Sequence, residues 1–128
     1  MINAGWYYDM LGGEEGVRAL ANAFYDAMES REDARGIRAM HGEDLASIRE
    51  KLFEYLSGWL GGPHLYRQKY GGFCLTKPHA PYAIGESERD QWLRCMEQAL
   101  EDVGAPEDLR QAAKAPFFRI AETVRNRA

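Results

Sequence analysis

An all-α chain with short connections is what this sequence predicts, and three observations carry the prediction. Apolar residues recur at spacings of three and four in several long runs. No alternating run rich in Val, Ile and Thr occurs. Gly and Pro pairs fall between the periodic runs, where helices are expected to begin and end. The length of 128 residues suits one domain, 1–128, with a single core.

The first run, over 13–29, places Val17, Leu20, Ala21, Phe24, Tyr25 and Met28 on one helical face behind Gly12-Gly13. Glu14 and Glu15 in its first turn complement the helix dipole. The charged stretch Ser30 to Gly36 reads as a short helical turn with loops leading to Ile37-Arg38-Ala39-Met40-His41. From Asp44 a second run carries Leu45, Ile48, Leu52, Leu56 and Trp59, and Phe53, Tyr55 and Leu60 widen its stripe beyond a single seam. Gly61-Gly62-Pro63 ends it, because glycine permits a left-handed cap and proline cannot continue the ladder. A third helix is expected from near Glu86 to Gly104, burying Trp92, Leu93, Met96, Leu100 and Val103. A fourth starts at Pro106 and is expected to kink or split at Pro116.

Charge and composition exclude several classes of function. Sixteen basic against twenty acidic residues give −4, and no Lys/Arg run is long enough to track a phosphate backbone, so no nucleic-acid partner is expected. No apolar stretch reaches the length of a membrane span, and Met1 to Trp6 lack the pattern of a secretory signal. A cytoplasmic protein without a membrane partner is the expectation. Cys74 and Cys95 have no CxxC spacing, and Cys95, within the third helical run, reads as a small packed hydrophobe.

The segment 63–85 is weakly periodic yet holds Tyr66, Tyr70, Phe73 and Tyr82, which argues for a site rather than a solvated linker. Within it His79 lies between Pro78 and Pro81, so two φ angles are fixed and two backbone donors are missing around the imidazole. A wide apolar stripe, an aromatic segment and a stiffly held histidine together make a slot for a flat hydrophobic cofactor whose metal needs one protein ligand. Haem fits that description. Locally, a histidine satisfied by a backbone carbonyl in a surface loop fits as well. Storage of a metal by His41, His64, His79 and the cysteines matches no zinc spacing, and His64 after the Gly-Gly-Pro cap reads as exposed.

Phe24-Tyr25, Trp59-Leu60-Gly61-Gly62-Pro63, His79-Ala80-Pro81-Tyr82 and Glu88-Arg89-Asp90-Gln91-Trp92-Leu93-Arg94-Cys95-Met96, in this order and separation, resemble a truncated haemoglobin of the second group. The resemblance spans roughly Tyr8 to Val124 and implies a two-over-two helical sandwich enclosing haem b. It implies His79 as the proximal iron ligand. Tyr25, Trp92 and His41 would form the distal hydrogen-bonding set, with Met40 the competing occupant of the His41 position. Read without the family, Tyr25 and Trp92 are equally core residues on helix stripes. Ile48 would replace a histidine gate, and Leu52 would face the haem one turn on. The remaining cofactor contacts implied are Tyr66, Tyr70, Phe73, Tyr82, Ile84 and Met96. Many relatives carry arginine just before the proximal histidine, whereas Pro78 stands here, leaving Lys77, Arg67 or Lys69 to meet a haem propionate.

The implied function is reversible binding of O₂, and of NO and CO, with slow oxygen release, by a monomer or weak homodimer. Oxidation of NO to nitrate and peroxidase chemistry are further possibilities that need an unidentified reductase, so enzyme status stays open. A different class of function, a helical sensor or binding module using the same pocket for a non-haem ligand, differs in having no need for His79.

Overall fold

The computed structural model describes residues 4–71, 79 and 82–127, and the regular structure among them is entirely helical. The elements are α1 (Ala4–Met10), α2 (Gly13–Ser30), a 3-10 turn at Glu32–Ala34, α3 (Arg35–Ala39), α4 (Ala46–Trp59), α5 (Leu65–Tyr70), α6 (Glu86–Asp102) and α7 (Glu107–Val124). The two-over-two sandwich is formed by the pairs α2 with α4 and α6 with α7, which meet through the packing of α2 on α6.

Helix α2 follows its sequence pattern closely. Val17, Leu20, Ala21, Phe24, Ala27 and Met28 are buried, while the charged face stays outside. Asp44 opens α4 by accepting the Ala46 N–H at 2.9 Å, and Glu88 reaches back to the Gly85 N–H at 2.7 Å to open α6. At the end of α4, Gly61 takes φ +97, and the Gly62 N–H bonds the Ser57 carbonyl at 2.8 Å. A Cβ on Gly62 would lie 2.3 Å from the Tyr8 ring, so that glycine is what lets α1 cover this corner. The Tyr8 N–H fastens α1 there by donating to the Leu60 carbonyl at 3.1 Å.

Two expectations change. The segment 63–85 is not irregular from its start, because Leu65–Tyr70 forms a short helix closed by Gly71 at φ +85. Pro116 does not split the last helix, which runs unbroken from Glu107 to Val124. Ala113, Phe117 and Ala121 are buried along one face on both sides of the proline, and this packing outweighs the missing backbone donor. Helix α1 was not expected at all. Among the described residues, no helix is long and apolar enough to cross a membrane.

Candidate functional site

Helix α4 carries two apolar stripes with different fates. Leu45 at its N-cap, Phe53, Leu56 and Leu60 are buried in the core. Ile48, Leu52, Tyr55 and Trp59, at i, i+4, i+7 and i+11, form a second face that the protein covers only in part. Trp92 from α6 is also half-buried, as are Tyr66 from α5 and His79. A partly covered apolar face is the surface that a flat apolar cofactor requires, and a half-buried histidine is a nitrogen donor of the kind that its metal would take.

An aromatic chain lines the α2 side of this region. Phe24 contacts Tyr25 edge-on at 4.9 Å between centroids and Trp92 at 5.4 Å, and Tyr25 meets the His41 ring at 5.8 Å. Phe117 extends the chain from Trp92 at 5.9 Å to Trp59, on which it stacks at 4.6 Å. Tyr25 is 5% exposed, and burial pushes its phenol well above the ordinary range, against an opposing pull from Arg49, whose guanidinium lies 5.9 Å from the ring. Tyr25 therefore stays a neutral O–H donor. Arg49 is itself held on α2 by the Asn22 carbonyl at 2.8 Å and Asp26 at 2.9 Å.

His41 is placed by a relay from α6. Gln91, 8% exposed, accepts the Ile37 N–H at 3.0 Å through Oε1 and donates through Nε2 to Ser87 Oγ at 3.0 Å. The Arg38 guanidinium gathers the carbonyls of His41, Gly42 and Glu43 at 3.4, 3.0 and 3.3 Å. His41 Nδ1 lies 2.8 Å from the Ile37 carbonyl. A carbonyl only accepts, so Nδ1 carries the hydrogen and Nε2 of the neutral ring is an acceptor. His41 therefore offers an acceptor at Nε2 while the ring is neutral, and donates from that atom only as imidazolium. Met40 is half-buried beside it.

On the other side of α4, Tyr55 meets Tyr66 at 5.7 Å and Tyr66 meets Tyr70 at 4.6 Å. Tyr70 is 44% exposed and its hydroxyl donates to Glu54 at 3.3 Å. Lys69 pairs with the same buried carboxylate at 3.1 Å, and Arg67 is exposed on α5. Tyr82 is 44% exposed, Ile84 is buried at the entrance to α6, and Met96 lies in the core at 1% exposure. Phe73 and Lys77 lie outside the described residues, as do Cys74, Pro78 and Pro81. His64 is exposed, and Cys95 is fully buried with its thiol pushed up to about 11 by burial. Among the described residues, no group of three or more His, Cys, Asp or Glu side chains gathers to hold a bare metal ion.

Gln91 and Asn126 escape a reading of the sequence. Gln91 has a faint signal, a polar residue beside Trp92 on the inward face of a helix. Asn126 has none, since its partners at 79, 82 and 84 are more than forty positions away.

Comparison with known proteins places these features in a wider set. The sequence model of the family described as "Bacterial-like globin" matches residues 6–126. The chain is 31% identical over 114 residues to the group 2 truncated hemoglobin YjbI of Bacillus subtilis, covering 89% of this chain and 82% of that one. The structure of a cold-adapted truncated hemoglobin from Pseudoalteromonas haloplanktis superposes with a TM-score of 0.90 at 42% identity, covering 94% of this chain and 98% of the other. The group II 2-on-2 hemoglobin of Agrobacterium tumefaciens gives a TM-score of 0.90 at 35% identity, covering 100% and 97%.

Proposed function

Since the chain belongs to the bacterial-like globin family, within the second group of truncated haemoglobins, we propose that it binds O₂ reversibly, with NO and CO as competing ligands, on haem b held by His79. The cofactor supplies, when bound, a ferrous iron that takes diatomic gases and gives O₂ more partial negative charge than CO. Everything else falls to the protein. His79 would supply the nitrogen ligand to its iron. Ile48, Leu52, Tyr55 and Trp59 supply the apolar surface that excludes water, with Tyr66 beside them. Phe73, Lys77, Tyr82 and Ile84 complete the proposed cofactor contacts, while Met96 packs in the core.

The observation that carries the reading is the buried, neutral Tyr25 phenol, whose ring meets His41 and whose neighbour Phe24 meets Trp92. Two donors serve the gas ligand, the Tyr25 O–H and the Trp92 indole N–H, while neutral His41 serves as an acceptor that can orient a neighbouring O–H. Donors in a dry pocket favour the ligand bearing more negative charge, so oxygen release is slow. The test is the ligand off-rate of Tyr25→Phe by stopped flow. O₂ dissociation should accelerate by about five- to thirtyfold, equivalent to ~1–2 kcal/mol for one hydrogen bond, while CO dissociation changes far less. Equal O₂ off-rates in both proteins would move the contact to Trp92.

The same pocket suits oxidation of NO to nitrate. That reaction would consume NO, O₂ and one electron for each nitrate formed, and a separate reductase would supply the electron. Peroxidase turnover, drawing electrons from an external donor, is the other redox activity consistent with proton-bearing groups at Tyr25, His41 and Trp92. A cytoplasmic monomer or weak homodimer completes the proposal.

A further inference from the structure

Pro78 and Pro81 bring no backbone N–H to the sequence around His79, which leaves fewer local donors for its carbonyls. Asn126, just beyond α7, meets them. Its Nδ2 donates to the Tyr82 carbonyl at 2.8 Å and to the His79 carbonyl at 3.5 Å. Its Oδ1 accepts the Ile84 N–H at 2.9 Å, and its own backbone N–H donates to the Ile84 carbonyl at 2.8 Å. The carboxamide orientation follows from its partners: the Ile84 N–H can only donate, and the two carbonyls can only accept. Arg127 adds a backbone bond to the same Ile84 carbonyl at 2.9 Å, and the Tyr82 N–H closes a turn on the His79 carbonyl at 3.0 Å.

The anchor itself is fixed in place. Glu122 near the end of α7 accepts from Arg89 of α6 at 2.8 Å and from Arg125 at 2.9 Å, and Arg125 also reaches Glu86 at 3.3 Å. The start of α6 and the end of α7 are thus joined, and Asn126 spans from that joint to the histidine's own carbonyl.

We infer that Asn126 is a positioning residue for His79, holding the backbone at His79, Tyr82 and Ile84 in the orientation that presents the imidazole. The inference rests on His79 being the iron ligand.

Asn126→Ala removes the three side-chain bonds. Asn126→Asp, which is isosteric, keeps an acceptor for Ile84 but sets an oxygen against two carbonyls, so it preserves volume without restoring the clamp. Thr123→Ala, on an exposed turn of α7 where the hydroxyl bonds only the Arg119 carbonyl at 2.7 Å, is the control. In the full-length cofactor-free chain, amide exchange at Ile84 should quicken by about tenfold in both Asn126 variants, with α2 amides unchanged. In the haem-loaded protein, the ferrous iron–histidine stretching band in the resonance Raman spectrum should shift or broaden. Haem transfer to an apoglobin acceptor should also quicken by about tenfold. The control should match wild type in all three. Unchanged band, transfer rate and Ile84 exchange in the Asp variant would overturn the inference. A wild-type protein that binds haem but shows no histidine band would instead overturn the assignment of His79.

Discussion

His79→Ala is expected to abolish stable haem binding: retention should fall by at least about a hundredfold, with the five-coordinate ferrous spectrum lost. The apolar face of α4 would still attract the porphyrin, so some haem should bind loosely and without a protein nitrogen. Added imidazole should then restore a histidine-like spectrum by filling the vacated axial position. Rescue separates loss of a ligand from loss of the fold, because imidazole cannot repair an unfolded domain. Absorption spectra with and without imidazole read this directly. A mutant indistinguishable from wild type would assign the iron to another residue.

The second large effect concerns the corner between α1 and α2. Gly→Ala inside a helix ordinarily stabilises by up to ~1 kcal/mol, since alanine has the better helix propensity. At Gly16 the sign should reverse. A Cβ there would lie 1.5 Å from the Leu11 carbonyl oxygen and 2.3 Å from its carbon, both backbone atoms that no rotamer change can move. The chain at Leu11 must shift, carrying α1 with it and loosening Tyr8 from the Leu60 and Gly62 corner. Gly16→Ala should destabilise the protein by about 3 kcal/mol, lowering Tm by roughly 10 °C. Calorimetry of the cofactor-free protein checks it, and a raised Tm would show that this corner relaxes freely.

The long helices were legible because burial is one-sided: residues 17, 20, 21, 24 and 28 repeat the helical period, and the core takes that face. The candidate site drew its sequence signal from His79 between two prolines and from a stripe on α4 too wide for its own core, of which Ile48, Leu52, Tyr55 and Trp59 are only partly covered. Pro116 misled because a propensity rule concerns an isolated helix, whereas Ala113, Phe117 and Ala121 bury both halves of this one. Helix α1 was missed because its place depends on a contact between Tyr8 and a corner some fifty residues on. The polarity of His41 was equally hidden. Only the distance from Nδ1 to the Ile37 carbonyl decides which ring nitrogen bears the hydrogen. Gln91 and Asn126 share that reason, as polar residues whose partners are set by the fold.

The most direct measurement of the central claim is a CO titration of the haem-loaded, reduced wild-type protein, followed in the Soret region. One CO per chain, with a five-coordinate ferrous spectrum passing cleanly to that of a histidine-ligated CO complex, is the expected result. A protein that takes up no haem, or whose ferrous form leaves CO unbound, would contradict the assignment of a gas-binding haem to this pocket.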